Sequence, residues 1–279
     1  MRKIDSRIIT DVVKDMCIEA AIFLGDDVKN RIEKNIKTEK SETGKNILKI
    51  LLENAEKAEN KNTPICQDTG MAVFFVKVGQ DVIVEGETLT EAINRGVSEG
   101  YTEGYLRKSV VSPIERVNTK DNTPAVIHYD FIKGDKIEIE FAAKGFGSEN
   151  MSALKMLKPS DGLEGIKKFV IDTVSTAGPN PCPPTVIGVG IGGTMDKCCE
   201  IAKKALFREL GKHNEDENIA KLEKELLEEI NKLGIGPQGF GGTTTSLGLN
   251  IETYPTHIAG LPVAVNINCH ASRHKKAII

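Results

Sequence analysis

Seven of the eight residues from Met71 to Val78 are apolar, a density that suits a strand buried inside a protein. The sequence around it has a different texture. Before it, Ile9, Val12, Val13, Met16, Ala20 and Phe23 recur at three- and four-residue steps, the stripe of a core-facing helix. A second helix is expected around Asp26–Lys37, and a third from about Ser41, where Ser41 and Gly44 form a plausible start and Ile47, Leu48, Leu51 and Leu52 share one side. After it, Thr88–Ser109 returns to helical spacing. Ala125–Phe131 and Lys136–Ala143 are β-rich and read as a hairpin through Lys133, Gly134 and Asp135. Asp161–Thr176 reads as an amphipathic helix, Thr185–Val189 as a short buried strand and Thr194–Leu210 as a helix.

Asn214–Leu233 is highly charged but carries Ile219, Leu222, Leu226, Ile230 and Leu233 in a narrow stripe, with Asn214 and Glu217 spaced like a capping box. It reads as an amphipathic surface helix, the sharper alternative being a helix that contacts a partner. The tail from Gly234 is rich in Gly and Thr and becomes strand-like through Leu261–Asn266. There is no internal repeat. Helices enclosing scattered apolar strands predict an α/β fold, a helical N-terminal segment followed by mixed β-sheet lobes flanked by helices. The 279 residues are expected to form a single domain, with a division into lobes at about 1–160 and 161–279 compatible with the pattern.

A formal charge of −3 with mixed signs gives no field that would gather nucleic acid or a membrane surface. No apolar run is long enough to span a bilayer, and the N-terminus lacks a signal core, so a cytoplasmic location is expected. Six cysteines in that compartment are poor disulfide candidates, which turns attention to metal binding or catalysis.

Three glycine-rich loops stand out: Gly188–Gly193, Lys144–Ser148 and Gly236–Thr245. The first satisfies G-x-G-x-x-G between a strand and a helix, the context of a dinucleotide fingerprint. That reading also needs an acidic residue ~20 positions on, at the end of a second strand, and Glu209 falls in helical sequence instead. An NAD-dependent oxidoreductase is therefore a minor alternative. Backbone N–H groups exposed by such loops can still hold an anion such as a carboxylate. Tight turns needing positive φ explain the glycines equally well.

Cys17 lies on the first apolar stripe and reads as core. Cys198 and Cys199 are helical neighbours, which diverge by ~100° and are badly placed to grip one metal together, so both read as core. Cys66, Cys182 and Cys269 differ. They sit in Pro64-Ile-Cys-Gln-Asp-Thr-Gly70, Gly178-Pro-Asn-Pro-Cys-Pro-Pro184 and Asn266-Ile-Asn-Cys-His-Ala-Ser-Arg273, polar or proline-rich stretches at the junctions of regular elements. Their spacing is not that of a structural zinc site. Three thiolates would suit a [4Fe–4S] cluster with one iron left open as a Lewis acid, although scattered cysteines alone are more often structural.

At these loops the chain resembles the α-subunit, or N-terminal half, of the class I fumarase and L-tartrate dehydratase family. The motifs fall in the family's order: CQDTG, N-T-x-x-N-x-P (Asn118–Pro124), K-G-x-G-S, C-P-P, G-G-T (Gly192–Thr194) and the final CHASR. The resemblance implies that Cys66, Cys182 and Cys269 ligate a [4Fe–4S] cluster. It implies that Gln67, Asp68, Arg107 and the backbone at Gly147 bind a small dicarboxylic acid, a guanidinium being well suited to gripping a carboxylate. Asp68 and His257 would form the acid–base pair at the leaving hydroxyl. His270 and Arg273 adjoin a proposed ligand and are weaker, supporting candidates; His128 and His213 read as structural.

The expected reaction is reversible hydration of a C4 dicarboxylate, fumarate to (S)-malate first, with L-tartrate to oxaloacetate as the alternative. Single-chain members of the family continue into a second domain, whereas this chain ends at Ile279. The resemblance thus implies a separate β-subunit and an α2β2 assembly. A non-catalytic metal- or anion-binding subunit is the rival reading of a different class.

Overall fold

The computed structural model describes residues 1–279. In chain order the elements are β1 (Arg2–Asp5), α1 (Ser6–Ile22), α2 (Asp26–Thr38), α3 (Glu42–Lys61), β2 (Met71–Gly79), β3 (Val82–Glu85), α4 (Leu89–Glu103), β4 (Val126–Ile132), β5 (Ile137–Lys144) and α5 (Phe146–Glu149). They continue with β6 (Ala153–Leu157), α6 (Gly162–Ala177), β7 (Thr185–Gly192), α7 (Met195–Ala205), α8 (Glu217–Lys232), β8 (Ser246–Tyr254), β9 (Leu261–Asn268) and β10 (His274–Ile278). The protein is mixed α/β. Its contacts divide it into two units, one of Met1–Gly25, Ala55–Phe146 and Arg273–Ile279, the other of Asp26–Asn54 and Gly147–Ser272.

The first unit is a four-stranded sheet in the order β10-β5-β2-β4, with β1 and β3 as a separate parallel pair. The apolar run Met71–Val78 lies inside β2, a central strand, and its alternate residues Ala72, Phe74 and Val76 are buried in one core with Ile137, Ile139 and Phe141 of β5. Helices α1 and α4 cover that face through Ile9, Val13, Cys17, Ile93, Val97 and Tyr101. Complete burial of each large aliphatic side chain contributes about 1.5–3 kcal/mol. Thr88 caps α4 in a complete capping box with Glu91, and the helix stops at Glu103, so Arg107 lies in the irregular chain beyond it.

The hairpin expected between Ala125–Phe131 and Lys136–Ala143 does not form. Strands β4 and β5 are connected through Lys133–Lys136 but separated by β2, which pairs parallel with β4 and antiparallel with β5. The more hydrophobic strand takes the site with two neighbours, and the tight turn only reverses the chain direction around it.

The second unit carries a sheet in the order β6-β9-β7-β8. On one face α6 and α8 pack through Ile166, Val170, Val174, Leu222, Leu226 and Ile230 against Ile187, Val189, Leu249, Val263 and Val265. The charged helix therefore buries its stripe in the protein's own core. Its cap is Asp216, whose carboxylate accepts from the N–H groups of Asn218 and Ile219. Asn214, expected in that role, instead accepts from Asp216 N–H and donates to the Ile251 carbonyl.

The other face is covered by α7, and here the glycine motif finds its explanation. A Cβ on Gly188 would sit 2.1 Å from the carbonyl of Ala202, and one on Gly190 2.2 Å from that of Cys198. The two glycines let α7 lie directly on β7, while Gly192 and Gly193 have positive φ in the turn between them. No helix of the protein is long and apolar enough to cross a membrane.

Candidate active site

In the first unit the CQDTG loop precedes β2 and is fixed from several directions. Tyr101, wholly buried on α4, donates its hydroxyl to the carbonyls of Thr69 (2.8 Å) and Gly70 (3.0 Å). Asn122, also fully buried and at φ +64°, donates to the Gly70 carbonyl and accepts from the N–H groups of Ser109 and Val110. This is the work of the N-T-x-x-N-x-P motif: its second asparagine ties the segment after Arg107 to the loop. Thr69 Oγ1 donates to the Arg107 carbonyl at 3.0 Å, which anchors the backbone at Arg107 while its side chain stays exposed. Arg273, last residue of the CHASR motif and 2 % exposed, donates to the Asp68 carbonyl at 2.7 Å.

Asp68 is half-buried, and its two carboxylate oxygens accept from different N–H groups, Gly70 at 2.9 Å and Phe146 at 3.0 Å. The second donor belongs to the K-G-x-G-S loop, so two of the sequence motifs meet on this carboxylate. A carboxylate has about four acceptor positions, so about two stay available. The Cys66 thiol is half-buried and lies 3.5 Å from Oε1 of Gln67, itself exposed. Cys66, Gln67, Asp68 and Arg107 thus share one ordered region.

In the second unit, Cys182 precedes β7 and Cys269 follows β9. These strands are antiparallel neighbours with Val186 opposite Asn268, so the topology puts both cysteines at the same end of the sheet. The His270 N–H reaches the Cys182 carbonyl at 3.4 Å, directly linking the two turns. Cys182 is exposed and at φ +55°, a left-handed conformation uncommon for a residue with a side chain. Gly147 lies beside this turn, where an added Cβ would be 3.8 Å from the Asn180 carbonyl, leaving room for a side chain.

His257 is elsewhere. It lies in the turn between β8 and β9, exposed, its Nδ1 accepting from Ala259 N–H. That turn is at the opposite end of the sheet from Cys182 and Cys269, a strand length of eight residues or roughly 26 Å away. Neither unit by itself brings together three side chains of the types that ligate metals.

Of the other cysteines, Cys17 and Cys198 are core residues as expected, whereas Cys199, one helical step from Cys198, faces outward. Cys17 and Cys198 are buried, and burial raises both thiols, that of Cys198 to about 12. Cys199 is exposed, with its thiol also raised, chiefly by desolvation.

The Gly236–Thr245 loop holds an anion, but an internal one. Glu39, between α2 and α3 and 2 % exposed, accepts from Ser41 N–H (2.9 Å), Thr243 N–H (2.8 Å) and Thr243 Oγ1 (3.1 Å). Burial pushes its carboxyl pKa up, but these bonds, with one from the Thr244 side chain, outweigh burial and hold it below the usual range. No sequence motif marks Glu39, whereas Gln238, described below, lies within this glycine-rich loop.

Residues 10–278 match the fumarate hydratase (Fumerase) family, which makes the chain a hydro-lyase. It is 49 % identical over 271 residues to "Putative L(+)-tartrate dehydratase subunit alpha" of Methanocaldococcus jannaschii, covering 95 % of each chain. It is 34 % identical over 275 residues to an L(+)-tartrate dehydratase subunit alpha of Escherichia coli, covering 97 % of this chain and 90 % of the other. The chain belongs to the fumarase and tartrate dehydratase family of hydro-lyases.

Proposed function

We propose that this chain is the α-subunit of an L(+)-tartrate dehydratase, converting tartrate to oxaloacetate together with a separate β-subunit in an α2β2 assembly. The observation that carries this reading is the near full-length match, at 49 % identity, to a relative named for tartrate and for subunit alpha. Fumarate, the first expectation from sequence, becomes the second substrate to test. The 279 residues act as one cluster-binding catalytic part.

Cys66, Cys182 and Cys269 would hold a [4Fe–4S] cluster. The donor set fits: three thiols outside the cores, two of them on adjoining turns, one at a left-handed φ. Such a cluster supplies a Lewis-acidic iron with an open coordination position. Around it, Arg107 pairs with a substrate carboxylate, and Gln67 and the backbone at Gly147 orient the acid. Asp68, held by the Gly70 and Phe146 N–H groups and entering the step as the protonated acid, passes its proton to the departing hydroxyl oxygen and is left as the carboxylate. Loss of water also needs a base for the proton on the neighbouring carbon, a role assigned to the β-subunit. The enol so formed becomes oxaloacetate. His257 keeps its proposed acid–base role only where a second molecule presents the β8–β9 turn, since its own chain places it roughly 26 Å from Cys182 and Cys269.

The test is anoxic co-expression with a β-subunit, followed by assay of L(+)-tartrate, its other stereoisomers, fumarate and malate. A kcat/KM for L(+)-tartrate above the others is expected; fumarate and malate turned over faster than any tartrate would return the reading to a fumarase. Cys66→Ser should lose iron and activity together, and an intact cluster with full activity would refute the ligand assignment.

A further inference from the structure

The two cysteine turns of the second unit are joined by more than strand pairing. Gln238, in the Gly236–Thr245 loop, has φ +52° and approaches the C-P-P turn twice. Its backbone N–H and its Nε2 both donate to the Pro183 carbonyl, each at 2.7 Å. The same Nε2 lies 3.2 Å from Nδ1 of His270, the residue after Cys269. That Nδ1 is in turn 3.1 Å from the Cys182 carbonyl. One side-chain amide therefore touches a neighbour of each cysteine.

The loop that presents Gln238 is itself held. Gly239 abuts Pro179, where an added Cβ would be 2.4 Å from the proline Cβ, and Glu39 grips Thr243 at the other end. The amide orientation is determined by its surroundings. Nε2 faces the Pro183 carbonyl, and the reversed amide would set two acceptor oxygens 2.7 Å apart.

We propose that Gln238 is a positioning residue that braces the Cys182 and Cys269 turns by hydrogen-bonding Pro183 and His270, and so fixes the spacing of two thiolates. The proposal rests on the reading that those thiolates are cluster ligands. A half-buried amide that donates one hydrogen to the Pro183 carbonyl and, with His270 Nδ1 unprotonated, the other to that nitrogen resists loop movement in two directions, which a side chain of the same shape without donors cannot do.

Two variants separate bracing from space-filling. Gln238→Met keeps length and volume but donates nothing; Gln238→Glu keeps shape and directs a charged acceptor at the Pro183 carbonyl. In the reduced, cluster-free full chain, Cys182 and Cys269 should be alkylated faster in both variants, with Cys199 as internal reference. Gln238→Glu should be the faster, by about tenfold over the native chain, the factor to which about 1.4 kcal/mol corresponds. The anoxically reconstituted protein should release iron to a chelator in the same order.

Native labelling rates in both variants would overturn the proposal, as would Gln238→Glu behaving like the native chain while Gln238→Met does not. If the native chain takes up no cluster but the labelling order holds, the brace stands and the cluster reading fails. Should Gln238→Glu be insoluble, a native labelling rate in Gln238→Met overturns the proposal by itself.

Discussion

Replacing Glu39 by glutamine keeps the outline of the side chain and removes its charge. In the native protein the carboxylate is 2 % exposed and receives hydrogen bonds on both oxygens from the Thr243 N–H, with Ser41 N–H and Thr243 Oγ1 on the first. Glutamine can place its carbonyl oxygen where the Ser41 and Thr243 donors converge. Its amide then points N–H at N–H on the other side. A hydrogen bond to a charged group contributes about 1.5–3 kcal/mol and a neutral one about 1, so the exchange should cost about 2–3 kcal/mol. In a chain of this size that lowers the melting temperature by about 2–4 °C per kcal/mol.

Urea or thermal unfolding of the pair at several pH values is the assay. The folded carboxyl titrates below its unfolded value. Its contribution is therefore present above the unfolded pKa of about 4.3 and is lost as pH falls through the lower folded pKa. The difference between native and Glu39→Gln chains should be full at pH 7 and shrink on acidification below about 4. A penalty under about 0.5 kcal/mol at pH 7, or one that grows in acid, would refute the account of Glu39 as a buried anion held by this loop.

Three more expectations follow from packing and burial. Gly190→Ala puts a methyl group 2.2 Å from a helix carbonyl that cannot step aside, so a loss of about 3 kcal/mol or an insoluble chain is expected, measured by urea unfolding. Thr88→Ala removes the cap of α4 and should cost about 1 kcal/mol, read from the shift in melting temperature. Iodoacetamide at pH 8 should modify Cys182 in the cluster-free folded chain while leaving Cys17 and Cys198 untouched until urea is added, as judged by peptide mass spectrometry.

The elements with strong periodicity were legible in the sequence. The stripe of α1, the start of α3 at Ser41 and the apolar run of β2 are where their side chains require them. The expected hairpin fails because turn chemistry between β4 and β5 is local, whereas the insertion of β2 between them is a long-range choice. Strand β8 was hidden by Gly248 and Asn250, poor strand formers in isolation; Asn250 is retained because its amide bonds the carbonyls of Ala205 and Arg208. The cysteine candidates could be reduced to three by their turn-like surroundings. Glu39 sits among charged helical residues and carries no such signal, and for Gln238 the glycines mark the loop but only tertiary contacts distinguish the residue within it.

The pairing of β7 with β9 carries a consequence for how the chain can vary. Sliding β9 by one residue would carry Cys269 about 3.4 Å past Cys182 and turn Val263, Val265 and Ile267 from the core to the opposite face. The hydrophobic alternation of a strand thereby serves as a ruler for the gap between two thiols. An insertion or deletion anywhere along β9 should register first as a changed interval between Cys182 and Cys269, before either cysteine or its turn is altered.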